Sequence, residues 1–302
     1  MGNEILIYIC LGLGLILAAV LTWAIVATKS VRTWSERARL VEKTMAELPR
    51  MQQVLSTLPR CAEDHALVAA IVESRTHRNL IPVIRNVRQV LPGTPIRVFH
   101  GNLNRGMLLE ALRREIDADE VRLIPLGLEG LNMEQYNLLM TSPRYYEACD
   151  GRHVLVFQTD AVLFSRSRVK LDEFIGFDYV GAAWQECGES SFRANSFRAL
   201  PPINRVGNGG LSLRRREKMI ETAVNTPYLS TPFIQEDVYF AHALPAHGAV
   251  LPSVAQSARF SFEQVLGTEL PFGAHKYMPK DFRDQIRDEE RAIIENHTQE
   301  PA

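Results

Sequence analysis

Short apolar runs alternate with helix-like segments through the middle of the chain. Apolar runs predict strands at Ala66–Val72, Ile96–Phe99, Val121–Leu126, Val154–Phe157 and Tyr179–Ala182. Amphipathic segments predict helices from Asn79 to about Leu91, over Arg105–Ile116 and from Asn132 to about Ala148. We expect Asn79 to cap the first of these helices. The alternation predicts an α/β fold with a mostly parallel sheet and helices on both faces.

Polar residues follow two of these strands directly. Gln158-Thr159-Asp160 comes after Val154–Phe157, and Glu73-Ser74-Arg75 stands at the matching position after the first strand. In open α/β sheets, ligands bind beyond the carboxyl ends of the strands. An unpaired buried carboxylate is costly, so we expect Asp160 to meet either a structural partner or a metal or ligand.

Three later segments can carry chemistry, and each has a plainer alternative. In Gly207-Asn208-Gly209-Gly210-Leu211-Ser212-Leu213-Arg214 the glycines let a substrate approach the backbone, or they form a tight turn before a strand. Glu236 and Asp237 open a predicted helix, where the macrodipole favours acids, or one of them is a general base. His275 is a second metal ligand beside Asp160, or a structural histidine.

Together these motifs carry a resemblance. Phe157-Gln158-Thr159-Asp160, Asn208 to Arg214, Glu236-Asp237-Val238 and Phe272-Gly273-Ala274-His275-Lys276 stand in an order that resembles domain-of-unknown-function family 5672 (DUF5672). That family is similar to nucleotide-sugar transferases of the GT-A fold. The resemblance covers roughly residues 66–280 and implies one nucleotide-binding α/β domain with a divalent cation.

The resemblance also implies roles for individual residues. Asp160 matches the last acid of an Asp-x-Asp motif, which binds the metal, while Gln158 replaces the first acid. His275 matches a late histidine that completes the metal site. Glu73 and Arg75 are expected to meet the nucleotide together with Gln158. On the acceptor side the resemblance places Asn208, Gly209, Gly210 and Arg214, with Asp237 or Glu236 as the catalytic base.

The functional hypothesis is sugar transfer from a nucleotide-sugar donor, with Mn²⁺ or Mg²⁺, to a glycan or lipid-linked acceptor. A carboxylate base suits inversion, whereas the His-Lys segment resembles retaining enzymes. Two alternatives stay open: a binding or scaffold protein that kept the fold without turnover, and a metal-dependent phosphoesterase, although the remaining histidines form no cluster. Trp184 to Arg205 is a long irregular insertion that would suit an acceptor or lid loop.

The N-terminus adds a membrane prediction. Ile5 to Ala27 is an uncharged, mostly apolar run of about 23 residues, enough for a bilayer-spanning helix. Glu4 precedes the run without any Lys or Arg, which favours an uncleaved anchor over a signal peptide. Basic residues follow the run, so the positive-inside rule predicts a cytoplasmic body. The alternative is a lumenal body, as in Golgi enzymes, with which the Asn296-His297-Thr298 sequon is compatible.

Beyond the anchor, Trp34 to Leu58 predicts a juxtamembrane helix with near-heptad apolar positions and an expected kink at Pro49. It would pack against the domain, or form a dimerising stalk. The predicted organisation is an anchor (1–30), a juxtamembrane helix (31–60), a GT-A-like domain (61–280) and a C-terminal tail (281–302).

Composition narrows the function classes. The net charge of −1 gives no general surface for nucleic acid. The 4 cysteines form no CxxC pair, which argues against a thiolate zinc site and a disulfide-dense secreted module.

Overall fold

The structure, a computed structural model, describes residues 34–184, 205–231, 235–265, 267–276 and 278–298. The predicted anchor at 5–27 and most of the insertion between Trp184 and Arg205 lie outside these residues. Within the described part, no helix has both the length and the apolar character needed to cross a membrane.

A six-stranded sheet forms the centre of the molecule. Its strands are β1 (His65–Glu73), β2 (Ile96–His100), β3 (Val121–Pro125), β4 (Gly151–Phe157), β6 (Tyr179–Gly181) and β7 (Leu211–Arg215). Their spatial order is β3-β2-β1-β4-β7-β6. The pairs β3/β2, β2/β1 and β1/β4 are parallel, while β7 is antiparallel to both of its neighbours. The predicted α/β fold with a mostly parallel sheet is confirmed.

The central strand β1 contains a continuous apolar run, Ala66–Val72, because both faces of the sheet are covered. In β1, Val68 and Ala70 join one buried cluster, while Ala69 and Ile71 join the other. Successive side chains of a strand point to opposite faces, so a strand covered on both sides needs apolar residues at every position.

Helices supply the cover on both faces. They are α1 (34–57), α2 (Leu80–Val90), α3 (Arg105–Ala111), α4 (Arg113–Asp117), α5 (Met133–Met140), α6 (Pro143–Glu147), α7 (Arg216–Asn225), α8 (Glu236–Ala243), α9 (Val254–Phe260) and α10 (Asp288–Thr298).

Two predicted helices are each divided in the structure. Arg105–Ile116 divides at Leu112 into α3 and α4. The segment from Asn132 to Ala148 divides because Ser142 caps a new helix with Pro143 in its first turn. Asn132 makes a capping box with Gln135 at the start of α5.

Asn79 precedes α2 as expected, but its side chain does not cap the helix. Its amide instead donates to the carbonyl of Ile293 and accepts from Asn296, both on α10. The expectation of a cap was wrong, because the side chain forms hydrogen bonds with these distant residues instead of with the first turn of α2. These contacts tie α10, from the segment expected to be a tail at 281–302, to the domain.

The second half of α1 packs on the domain. Met51, Val54 and Leu58 are buried in the same cluster as β1 and α6, whereas Val41 and Met45 nearer the start are exposed. The guanidinium of Arg144 donates to carbonyls at the end of this segment. Packing against the domain is therefore what the structure shows for residues 51–58, and the helix continues through Pro49.

A second sheet of three short strands stands beside the first. It contains β5 (Ala161–Leu163), β8 (Ser261–Phe262) and β9 (Gly273–His275) in the order β5-β9-β8. Ala161 pairs with His275 across β5/β9, and the carbonyl of Asp160 accepts from the N–H of Lys276 at 2.9 Å. This small sheet brings the chain after β4 next to a segment more than a hundred residues later.

Candidate functional site

A cavity of about 290 Å³ lies at the carboxyl ends of β1 and β4. Its walls include both polar triplets singled out in the sequence, together with the start of α5. The polar side chains among them are Glu73, Ser74, Arg75, Asn132, Tyr136, Gln158, Thr159 and Asp160. The expectation that two strands deliver polar residues to one edge of the sheet is confirmed.

Glu73 and Arg75 form an ion pair within one turn of chain. The buried carboxylate of Glu73 accepts from the guanidinium of Arg75 through both oxygens, at 3.0 and 2.9 Å, and from its backbone N–H at 2.8 Å. The Arg75 side chain is 67% exposed. This pair places a guanidinium, balanced by the carboxylate of Glu73, on one wall of the cavity.

Gln158 stands where the Asp-x-Asp pattern has its first acid. Its Nε2 donates to the hydroxyl of Tyr136 at 2.9 Å, and its backbone N–H donates to the carbonyl of Gly210. Tyr136 gave no signal in the sequence, because its position depends on how α5 packs against α6 and α8.

Asp160 and His275 meet beside the cavity. Oδ1 of Asp160 lies 3.2 Å from Nε2 of His275. The contact lacks hydrogen-bond angles, and both ring nitrogens of this buried histidine have no hydrogen-bond partner. On the other oxygen of Asp160, Nε2 of His297 lies 3.9 Å from Oδ2. His297 belongs to α10 and was not singled out as a site residue in the sequence.

The electrostatics of this pair favour opposite charges. Burial would raise the pKa of Asp160, but the neighbouring His275, His297 and Lys276 hold it well below its usual range. Burial would lower the pKa of His275, but the carboxylates of Asp160 and Glu263 outweigh it and raise that pKa to about 9. The pair is a carboxylate beside an imidazolium when no cation competes for the nitrogen.

The glycine-rich segment contacts both sides of the site. Asn208 is buried, and its Oδ1 accepts from the N–H of Gly210 at 3.0 Å, so it shapes the turn before β7. A Cβ at Gly209 would overlap Glu236, and a Cβ at Gly210 would overlap the ring of His275. The tight turn before a strand is therefore present, and the side chains that approach its backbone are those of Glu236 and His275. The approach of a substrate to this backbone stays a prediction.

Glu236 and Arg214 are buried together beneath this turn. The guanidinium of Arg214 donates to both oxygens of Glu236, at 2.9 and 3.1 Å, and to the hydroxyl of Tyr146. It also lies over the rings of Tyr179 and Phe240. Arg214 is fully buried, so it does not lie on an acceptor surface as expected. Glu236 is likewise buried by Arg214, so it is poorly placed to act as a base.

Of the two neighbouring acids Glu236 and Asp237, it is Asp237 whose carboxylate contacts the glycine turn. Its Oδ2 accepts from the N–H of Gly209 at 3.2 Å, and Oδ1 from Val238 at 2.8 Å. Burial and the charge of Glu236 raise the pKa of Asp237 to about 6, against the opposing effect of these N–H groups and Arg214. A carboxylate with this pKa is ionised at neutral pH and can accept a proton.

The predicted residues thus divide into three groups. Asp160, His275, Gly210, Gly209 and Asp237 follow one another through direct contacts. Glu73, Arg75 and Gln158 line the cavity, while Asn208, Arg214 and Glu236 support the turn from below.

Fold and site together describe an α/β protein with a polar-lined cavity at the carboxyl edge of its sheet. The sequence model of the family "protein of unknown function (DUF5672)" matches residues 125–275, and the chain belongs to that family. No curated protein matches the chain in sequence.

Several solved structures resemble the fold. One is the galactosyltransferase LgtC in complex with donor and acceptor sugar analogues, at 12% identity and a TM-score of 0.47 over 78% of this chain and 96% of that one. Another is the bifunctional glycosyltransferase WbbM, at 9% identity and a TM-score of 0.48 over 79% of this chain and 50% of that one. A third is the mannosyltransferase PcManGT of Pyrobaculum calidifontis with GDP-Man and Mn²⁺, at 12% identity and a TM-score of 0.40 over 75% of this chain and 66% of that one.

Proposed function

We propose that this protein is a metal-dependent glycosyltransferase with a GT-A-like fold, which moves a sugar from a nucleotide-sugar donor to a glycan or lipid-linked acceptor. One observation carries the proposal. Asp160 and His275, from distant parts of the chain, converge to 3.2 Å beside a cavity at the carboxyl edge of the sheet.

The two side chains fit a divalent cation. Two ligands that each lie about 2.1 Å from one ion are typically about 3 Å apart. The carboxylate suits Mn²⁺ or Mg²⁺, and the imidazole favours Mn²⁺ of the two, because Mg²⁺ prefers oxygen ligands. The unpartnered Nε2 of His275 supports this use. Among the described residues no three His, Cys, Asp or Glu side chains cluster as a complete metal site. The remaining coordination positions would therefore belong to diphosphate oxygens and water. A cation held here would stabilise the negative charge of the departing nucleoside diphosphate.

The chain's own groups supply the other roles. Glu73 and Arg75 line the cavity with Gln158, and the exposed guanidinium of Arg75 suits a phosphate or a nucleoside hydroxyl. Asp237 lies across Gly209 and Gly210 from His275 and would accept the proton of the acceptor hydroxyl. A base on the acceptor side favours inversion at the anomeric carbon.

The test uses the full-length chain purified in mild detergent, with UDP- and GDP-sugars in the presence and absence of Mn²⁺. Donor turnover is expected to need Mn²⁺, and Asp160→Asn is expected to lower kcat/KM at least about 100-fold. Asp172→Asn, at an exposed aspartate, is the matched control. Unchanged turnover and unchanged metal-dependent binding in Asp160→Asn would refute the proposal, and phosphoester cleavage without sugar preference would indicate a hydrolase.

A second candidate is a protein that binds nucleotide-sugars without turnover. Gln158 favours it, because an amide that donates to Tyr136 replaces the carboxylate of the Asp-x-Asp pattern. In the same experiment, Mn²⁺-dependent donor binding with neither hydrolysis nor transfer would select this candidate.

We also propose that residues 5–27 anchor the protein in a membrane with its body on the cytoplasmic side. The support is the apolar run and the basic residues that follow it. A reporter fused after Ala302 that is active only on the far side of the membrane would refute this orientation.

A further inference from the structure

Glu263 lies on the side of His275 away from Asp160. It directly follows β8, in which Phe262 pairs with Ala274 of the parallel strand β9, so the register sets Glu263 beside His275. Asp160 precedes β5 on the opposite side of β9. Ala161, the residue after Asp160, is the one that pairs with His275. The small sheet thus brings His275 between Asp160 and Glu263, and these three residues are called the row Glu263–His275–Asp160.

The contacts follow this row. Nε2 of His275 lies 3.2 Å from Asp160, and Nδ1 lies 3.5 Å from Oε2 of Glu263. The Glu263 side chain is 9% exposed, and its Oε2 has no hydrogen-bond partner. The other oxygen, Oε1, lies 3.8 Å from the ammonium of Lys276.

A buried carboxylate oxygen without a hydrogen bond costs free energy, so its position beside a histidine ring requires a reason. A histidine that binds a metal through one nitrogen usually donates its other N–H to a carboxylate, a backbone carbonyl or a water molecule. That bond fixes the tautomer and the ring orientation and makes the ligand more basic. The row Glu263–His275–Asp160 has this arrangement. The distance of 3.5 Å between Nδ1 of His275 and Oε2 of Glu263 needs only a small movement to become a hydrogen bond.

We propose that Glu263 is a positioning residue for the cation site: it accepts the Nδ1–H of His275 and thereby presents Nε2 to the cation beside Asp160. The inference rests on the proposed function, because it assigns a role within the same site. Glu263 does not touch the donor or the cation in this assignment and acts only through His275.

The experiment measures Mn²⁺ alone binding to the full-length chain, from the loss of the EPR signal of free aqueous Mn²⁺. Glu263→Gln is expected to weaken Mn²⁺ binding about 10- to 100-fold. Glu269→Gln is the matched control: Glu269 is half-exposed, pairs with Arg259 and is not in the row. Circular dichroism and thermal unfolding check that each variant folds. If Glu263→Gln does not fold, Glu263→Asp carries the same test with a shortened carboxylate.

A second readout separates positioning from a general structural role. Pulsed EPR detects the ¹⁴N of an imidazole bound to Mn²⁺, and this coupling is expected in the wild type and to be weakened in the folded Glu263 variant at saturating Mn²⁺. Wild-type affinity and coupling in that variant would overturn the inference and leave the proposed function intact. Absence of specific Mn²⁺ binding in the wild type, with Asp160→Asn indistinguishable from it, would overturn the proposed function and this inference with it.

Discussion

Gly210 lies against the face of the His275 ring, where a Cβ would overlap Nε2, Cε1 and Cδ2 alike. Its neighbour Gly209 is crowded from the other side by Glu236 and Asp237. Neither glycine has a positive φ, so space rather than backbone conformation requires glycine at both positions. Two residues of backbone therefore separate the Asp160–His275 pair from the candidate base.

Gly210→Ala is expected to displace the His275 ring. We expect at least about 10-fold weaker Mn²⁺ binding and a free energy of unfolding lowered by about 1–3 kcal/mol, the usual cost of overpacking. Gly106→Ala on α3 is the control, because a Cβ there meets nothing within 4 Å. Mn²⁺ titration and urea unfolding of both variants check this. Unchanged Mn²⁺ affinity in a folded Gly210→Ala protein would show that the ring position does not matter.

The sequence predicted the part of this site that local rules describe. Asp160 was found because a polar residue directly after an apolar strand lies at the ligand-binding edge of an α/β sheet. The turn at Asn208 to Gly210 was found because glycine permits close backbone approach. His275 was found through the order of the family's motifs rather than through any local pattern.

The missed features depend on tertiary packing. Arg214 and Glu236 are separated along the chain, and only the packing of β7 against α8 reveals their buried pair. Glu263 follows a strand of two residues, which is too short for a periodic signal. Asn79 precedes a helix as a cap would, yet its partners lie on α10, far along the chain.

His275 is expected to make stability depend on pH in the metal-free protein. Its folded pKa of about 9 lies above the usual value of 6.5, so the imidazolium's contribution is complete below about pH 6.5 and is lost as pH rises through about 9. We expect the free energy of unfolding to fall by about 1–3 kcal/mol over that window. Mn²⁺ affinity should rise over the same window, because the ion displaces the proton on Nε2.

Urea unfolding in EDTA at a series of pH values measures this dependence. His275→Gln keeps a polar side chain without an imidazolium and is expected to flatten the curve between pH 6.5 and 9. An equally steep fall in the wild type and in His275→Gln would assign the effect to other groups.

Asp237 is expected to cause the fall of kcat/KM at low pH, the acid limb of the pH profile. Its pKa of about 6 means that the base is protonated below that pH, so kcat/KM for transfer should fall as pH drops through about 6. Asp237→Asn is expected to lower kcat/KM about 10²- to 10⁴-fold and to remove this limb. A pH profile that Asp237→Asn does not alter would contradict this assignment.

Glu236→Gln should instead lower the free energy of unfolding by about 3 kcal/mol, because it leaves the buried Arg214 without its charge partner.

Two methionines of α1 distinguish a helix packed on the domain from a dimerising stalk. Met51 is fully buried against the domain, whereas Met45 is 49% exposed. Met51→Ala is expected to lower the free energy of unfolding by about 2–4 kcal/mol through the cavity that it leaves, and Met45→Ala to change it by less than about 0.5 kcal/mol. Urea unfolding of the full-length chain gives both values, and light scattering gives the oligomeric state. If Met45→Ala converted a dimer to a monomer, the exposed half of α1 would be an interface between two copies, and only the buried half would belong to the domain alone.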